Sequence, residues 1–169
     1  MPSRNYMSSQ LISLFEKSPD AVAVVKGIPE YSRISGRVEF YQTQIGVVVV
    51  SYITGLPYKP GNCEPNILAM HIHNGTCSGN EENPLANAGS HYNPHDCEHP
   101  AHAGDMPPLF VNNGYAFSVF LTSRFNVREI TGLPVIIHDN RDDFTTQPSG
   151  NSGKMIACGV IESMINRFE

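Results

Sequence analysis

His71 and His73 close the run Ile67-Leu68-Ala69-Met70-His71-Ile72-His73. A strand repeats every two residues, so both imidazoles leave the same face of a rigid element. That pairing constrains the fold more than any other feature of the chain. Two adjacent imidazoles on one strand supply half of a square-planar nitrogen site, the geometry Cu(II) favours.

The remaining histidines fall in two further places. The stretch from His91 to Asp105 carries His91, His95, His99, His102, Cys97 and Asp105 among prolines and glycines, a composition that predicts a loop. Three nitrogens and one carboxylate oxygen gathered from such a loop suit tetrahedral zinc. The third place is Leu133-Pro-Val-Ile-Ile-His138-Asp-Asn-Arg-Asp142, an apolar strand that ends on a histidine with acids just beyond. Metal-bound histidines commonly give their second N–H to a carboxylate, and Asp142 is the expected partner.

Alternating or β-branched runs separated by turn residues predict an all-β sandwich or barrel. The expected strands are Ala21–Lys26, Gly36–Thr43, Val47–Ile53, Ile67–His73, Tyr115–Leu121, Val135–His138 and Met155–Ile161. Only Ser8 to Lys17 has a helical pattern, with Leu11, Ile12 and Phe15 on one side. Residues 1–20 are therefore expected to form an N-terminal extension, with a short helix, and residues 21–169 the β domain. Charged residues make up only 16%, while 14 glycines and 13 prolines suit a loop-rich β protein. The net charge of −5 and the lack of a basic stripe exclude nucleic acid as a partner. No apolar stretch has the length of a membrane span. The opening Met1-Pro-Ser-Arg-Asn-Tyr6 lacks the apolar core of a signal peptide. A cytoplasmic location is expected as the chain is written, and a periplasmic or extracellular one if a leader was removed.

These motifs, in this order, resemble the copper-zinc superoxide dismutases. His71-Ile-His73, with Gly75 and Cys77, resembles the family's paired copper ligands and first disulfide cysteine. Gly89-Ser-His91-Tyr-Asn-Pro94 resembles the segment of the bridging histidine. His99, His102 and Ala-Gly-Asp105, followed by Met106-Pro-Pro-Leu109, resemble the remaining zinc ligands. Gly132 to His138, Pro148 to Gly153 and Ala157-Cys158-Gly-Val-Ile161 match the last copper strand and the second cysteine segment.

The resemblance implies an immunoglobulin-like Greek-key β-barrel with long metal-binding and active-site loops. It implies copper on His71, His73, His91 and His138, and zinc on His91, His99, His102 and Asp105. The His91 imidazolate would be shared by both ions and would be the catalytic group, with superoxide as the substrate. Asp142 would link His71 to His99, and Cys77 would pair with Cys158. A homodimer is a further expectation. His95 falls outside the implied ligand set, and Cys63 and Cys97 are left open as a second bridge, free thiols or, for Cys97, a competitor for zinc.

One position departs from the family. Where its members carry an arginine two residues before the Ala-Cys-Gly motif, this chain has Met155, with Lys154 beside it. Neighbouring strand residues face opposite ways, so Lys154 replaces the guanidinium only if a bulge shifts the register. Otherwise steering rests on the metals and Arg141, and a slower enzyme than usual for the family is expected.

Overall fold

The computed structural model describes residues 16–164. Nine strands account for nearly all regular structure among them: β1 (Ala21–Gly27), β2 (Ser35–Thr43), β3 (Gly46–Thr54), β4 (Ile67–Leu68), β5 (Met70–Ile72), β6 (Leu109–Phe110), β7 (Ala116–Thr122), β8 (Pro134–His138) and β9 (Met155–Ser163). A 3-10 turn spans Pro29–Tyr31, and one helical turn, α1, spans Val127–Ile130.

Alternation decides which way each strand faces. In β1, Ala21, Ala23 and Val25 are fully buried while Val24 is exposed. In β3 the inward set is Val47, Val49, Ser51 and Ile53. These residues meet Phe40, Met70, Ile72, Leu109, Ile137, Ile156 and Ile161 in one apolar interior.

Every pairing is antiparallel, and seven strands form one sheet in the order β5-β8-β9-β1-β2-β3-β7. The last strand pairs with the first, a Greek-key connection. β4 and β6 form a two-stranded ladder. Since β4 runs into β5 and β6 lies against β7, that ladder closes the curled sheet across its gap.

The expected single strand Ile67–His73 is thus broken in two. At Ala69 the chain leaves β6 and joins β8: Ala69 accepts from His138 N–H, and its own N–H goes to Asn140 O. Such a corner lets one strand serve two sheets. The other expected strands are present with ends shifted by one or two residues. Of the helical expectation, Ser8 to Phe15 lies outside the described residues, and Glu16 and Lys17 form a turn. α1 was not expected. Asn126 accepts from Glu129 N–H, and Glu129 accepts from Asn126 N–H, so both ends of the capping box are made. No helix among the described residues is long and apolar enough to cross a membrane.

Two long connections carry polar chemistry on the outer face of β5 and β8: residues 73–108 and residues 139–154. The first is stapled to the barrel by a disulfide between Cys77 and Cys158 of β9, 81 residues apart. Leu85, Ala88, Ile136, Ile28 and Met155 pack around it. Cys63 and Cys97 are free and exposed, which excludes a second bridge between them.

Closing a loop of that length stabilises the fold by about 4 kcal/mol in the chain-entropy model. Reduction, or Cys158→Ser, is therefore expected to lower the denaturant midpoint of the metal-free protein. Hydrogen exchange should accelerate first at Gly75, Thr76 and Asn87, whose N–H groups bond within this loop. An unchanged midpoint would contradict this role for the staple.

Candidate metal centre

β5 delivers His71 and leads into His73, and β8 ends on His138. Met70 and Ile72 take the inner face and leave both histidines outside the barrel but under the loops: His71 is 0% exposed, His73 3% and His138 4%. The loop from residue 73 folds back along β5, where Tyr92 N–H donates to Ile72 O and Gly104 N–H to Tyr92 O. Those bonds bring His91, His99, His102 and Asp105 beside the strand histidines.

Two donor groups result. Ligand atoms of His71, His73, His91 and His138 lie within 4.8 Å of one another, as do those of His91, His99, His102 and Asp105. His91 belongs to both. Its ring centroid stands 3.9 Å from that of His71 and 5.5 Å from that of His102. Its Nδ1 is 2.7 Å from Asp105 Oδ1.

Asp142 is the second connection. Its Oδ2 accepts from His71 Nε2 at 2.9 Å, and its Oδ1 accepts from His99 Nε2 at 2.9 Å. Gly150 lies directly over this pair, with φ +66°, and a Cβ there would stand 1.9 Å from Asp142 Oδ1. The tight loop thus requires glycine on both conformational and steric grounds. Gln147 grips the same region, accepting from His99 N–H at 3.0 Å and donating to His99 O at 2.6 Å.

These outer partners fix the tautomers. His71 spends its Nε2–H on Asp142, His73 its Nδ1–H on Gly89 O at 2.9 Å, and His138 its Nδ1–H on Gly153 O at 3.5 Å. The other nitrogens therefore carry bare lone pairs. His71 Nδ1 faces His138 Nε2 at 3.3 Å, and His73 Nε2 faces it at 3.4 Å. Buried His91 Nε2, His99 Nδ1 and His102 Nδ1 have no hydrogen-bond partner. Converging lone pairs with no proton between them are relieved by a cation. Four imidazole nitrogens in one group fit Cu(II), and three nitrogens with a carboxylate fit zinc.

Burial, followed by the neighbouring imidazoles, pushes His71 far below the usual histidine range and His73 down to about 3. Burial takes His138 down to about 4, against the opposing bond to Gly153. Burial would raise Asp105, but the hydrogen bond with His91 and the three facing histidines outweigh it and hold Asp105 low.

Of the other expected residues, His95 and Cys97 are exposed and belong to neither donor group. Arg141 and Lys154 are exposed as well. A register shift does occur between Ile137 and His138, but it sets Met155 opposite His138. Directly paired residues share a face, so the thioether, and not Lys154, stands on the histidine side. Sequence reasoning missed Gln147 and the carbonyls of Gly89 and Gly153. Backbone acceptors leave no sequence signal, and one glutamine in a polar loop leaves little.

The depressed histidines make a pH prediction for the metal-free protein. Unfolded, they bind a proton near 6.5. Folded, they stay neutral until much lower pH, so between about pH 6.5 and 4 the unfolded state holds more protons. Stability is then complete above about 6.5 and falls as pH drops, by up to about 1.4 kcal/mol per pH unit for each histidine. Denaturant unfolding at pH 7 and pH 5 should show this fall, and His73→Gln should flatten it. A midpoint independent of pH would contradict the assignment.

The family model described as copper/zinc superoxide dismutase matches residues 34–161. The copper-zinc superoxide dismutase of Photobacterium leiognathi is 33% identical over 142 residues, covering 75% of this chain and 78% of that one. One from Aquifex aeolicus is 31% identical over 161 residues, covering 85% and 88%. The crystal structure of a superoxide dismutase-like protein from Bacillus subtilis superposes with a TM-score of 0.66 at 27% identity, over 82% of this chain and 96% of that chain. With a match that starts just before β2 and runs into the last strand, this chain belongs to the copper/zinc superoxide dismutase family.

Proposed function

We propose that the protein dismutates superoxide, turning two superoxide ions and two protons into dioxygen and hydrogen peroxide. On this reading His71, His73, His91 and His138 hold copper, and His91, His99, His102 and Asp105 hold zinc. One observation carries it: His91 belongs to both donor groups, with Nδ1 2.7 Å from Asp105 Oδ1 and Nε2 buried without a partner. Bound copper supplies one-electron redox chemistry, and zinc supplies fixed positive charge without redox.

The chain's own residues divide the remaining work. His91 Nε2 would alternate between holding copper and holding a proton for the leaving peroxide, with Nδ1 anchored on the Asp105 side. Gly89 O and Gly153 O keep His73 and His138 in the tautomer that leaves Nε2 bare. Asp142 keeps His71 and His99 aligned, so the two halves move as one. The cystine fits an oxidising compartment better than the cytosol.

Substrate capture is the weak point. Met155 stands beside His138 where the family has arginine. The missing guanidinium favours a second reading, a metal-binding protein with weak or no catalysis.

A dismutation assay on protein loaded with equimolar copper and zinc separates the two. Turnover is expected, and full loading without turnover would establish the second reading. Met155→Arg is expected to raise the rate constant by about tenfold at low ionic strength, a gain that shrinks as salt screens the charge. An arginine variant no faster than wild type would refute the steering deficit.

A further inference from the structure

We infer that Arg124 is a positioning residue for the zinc group, an inference that rests on the assignment of His91, His99, His102 and Asp105 to zinc. Between His99 and Asp105 the ligand-bearing segment has no helix and no strand ladder, only an isolated bridge from His71 to Asp105. Gly104 ties the turn to Tyr92 and Ile72, and His102 N–H donates to Asp105 Oδ2, but its carbonyls on the β7 side converge on one side chain. Arg124 Nη1 donates to Pro100 O at 2.9 Å and His102 O at 3.1 Å, and stands 3.4 Å from Asp105 O.

Three carbonyl dipoles aimed at one point repel one another unless a positive donor sits there. Two of the three belong to the ligands His102 and Asp105, so their backbones move if the turn opens. The guanidinium also reaches them from a fixed base. Arg124 follows β7, its N–H donates to Thr122 Oγ1, and the next residue, Phe125, is 5% exposed in the barrel core. Arg124 itself is exposed. Its side chain thus adds a second tie, from the β7 end of the barrel, to a turn otherwise bonded to β5 through Gly104. Charge-assisted bonds of this kind are the stronger class and suit a delocalised, permanently charged donor.

The test uses the full chain stripped of metal and reloaded with Zn(II) alone. Zinc affinity is measured against a chromophoric chelator for wild type, Arg124→Gln and Arg124→Lys, with the visible spectrum of Co(II) in the same group as a geometric readout. Loss of an outer partner commonly costs ten- to a hundredfold in metal affinity. Arg124→Gln is expected to lose about tenfold and to change the Co(II) spectrum, while the unfolding midpoint of the metal-free protein stays near wild type. Arg124→Lys, which keeps a charge and donors, should recover part of the loss. Unaltered zinc affinity and spectrum in Arg124→Gln would overturn the inference. So would a fall in metal-free stability that accounts for the zinc loss, with lysine no better than glutamine. A wild-type chain that binds no zinc would instead sink the assignment beneath it.

Discussion

Bare nitrogen lone pairs meeting under a loop are the constraint on which this structure turns. Three imidazoles have committed their only N–H to an outer acceptor, and their other nitrogens converge at 3.3 to 3.4 Å. Leaving a buried polar atom without a partner costs about 1–3 kcal/mol. A cluster of them is tolerable only where the surrounding fold forces it. Here the forcing element is the barrel: β5 and β8 are paired along their length, and their inner residues are fully buried. Strain at the centre is thus held by packing beneath it.

The two donor groups are built differently. The strand-borne group, His71, His73 and His138, is set by ladder register and is rigid as β structure is rigid. The loop-borne group depends on bonds from outside itself: Asp142 and Gln147 on His99, Arg124 on the following turn, and the cystine that ties residue 77 to β9. Metal binding and loop order are coupled in such a design, because a site assembled from loop residues scarcely exists in the unfolded chain. Asp142 joins the two halves physically, and His91 joins them through one ring.

Much of this could be read in the chain. Period-two alternation located seven strands, since inner and outer faces of a barrel differ sharply in polarity. His71 and His73 were legible as a same-face pair because strand geometry leaves no alternative. The break at Ala69 was not legible, because it comes from a change of partner strand, which local pattern does not encode. α1 escaped notice although Asn126 and Glu129 stand at capping-box spacing; four residues are too few to show a helical period. Met155 was recognised as a departure, but its side depended on a register shift visible only in the paired strands. Arg124 and Gln147 act through backbone atoms far away in sequence, and no motif announces such contacts.

The central claim is that one imidazole serves both donor groups, and equilibrium titration of copper and zinc into single-ligand variants tests it most directly. His73→Gln should weaken copper alone and His102→Gln zinc alone, while His91→Gln should weaken both, with one ion of each kind bound per wild-type chain. A His91 variant that loses affinity for only one metal, or for neither, would contradict the account.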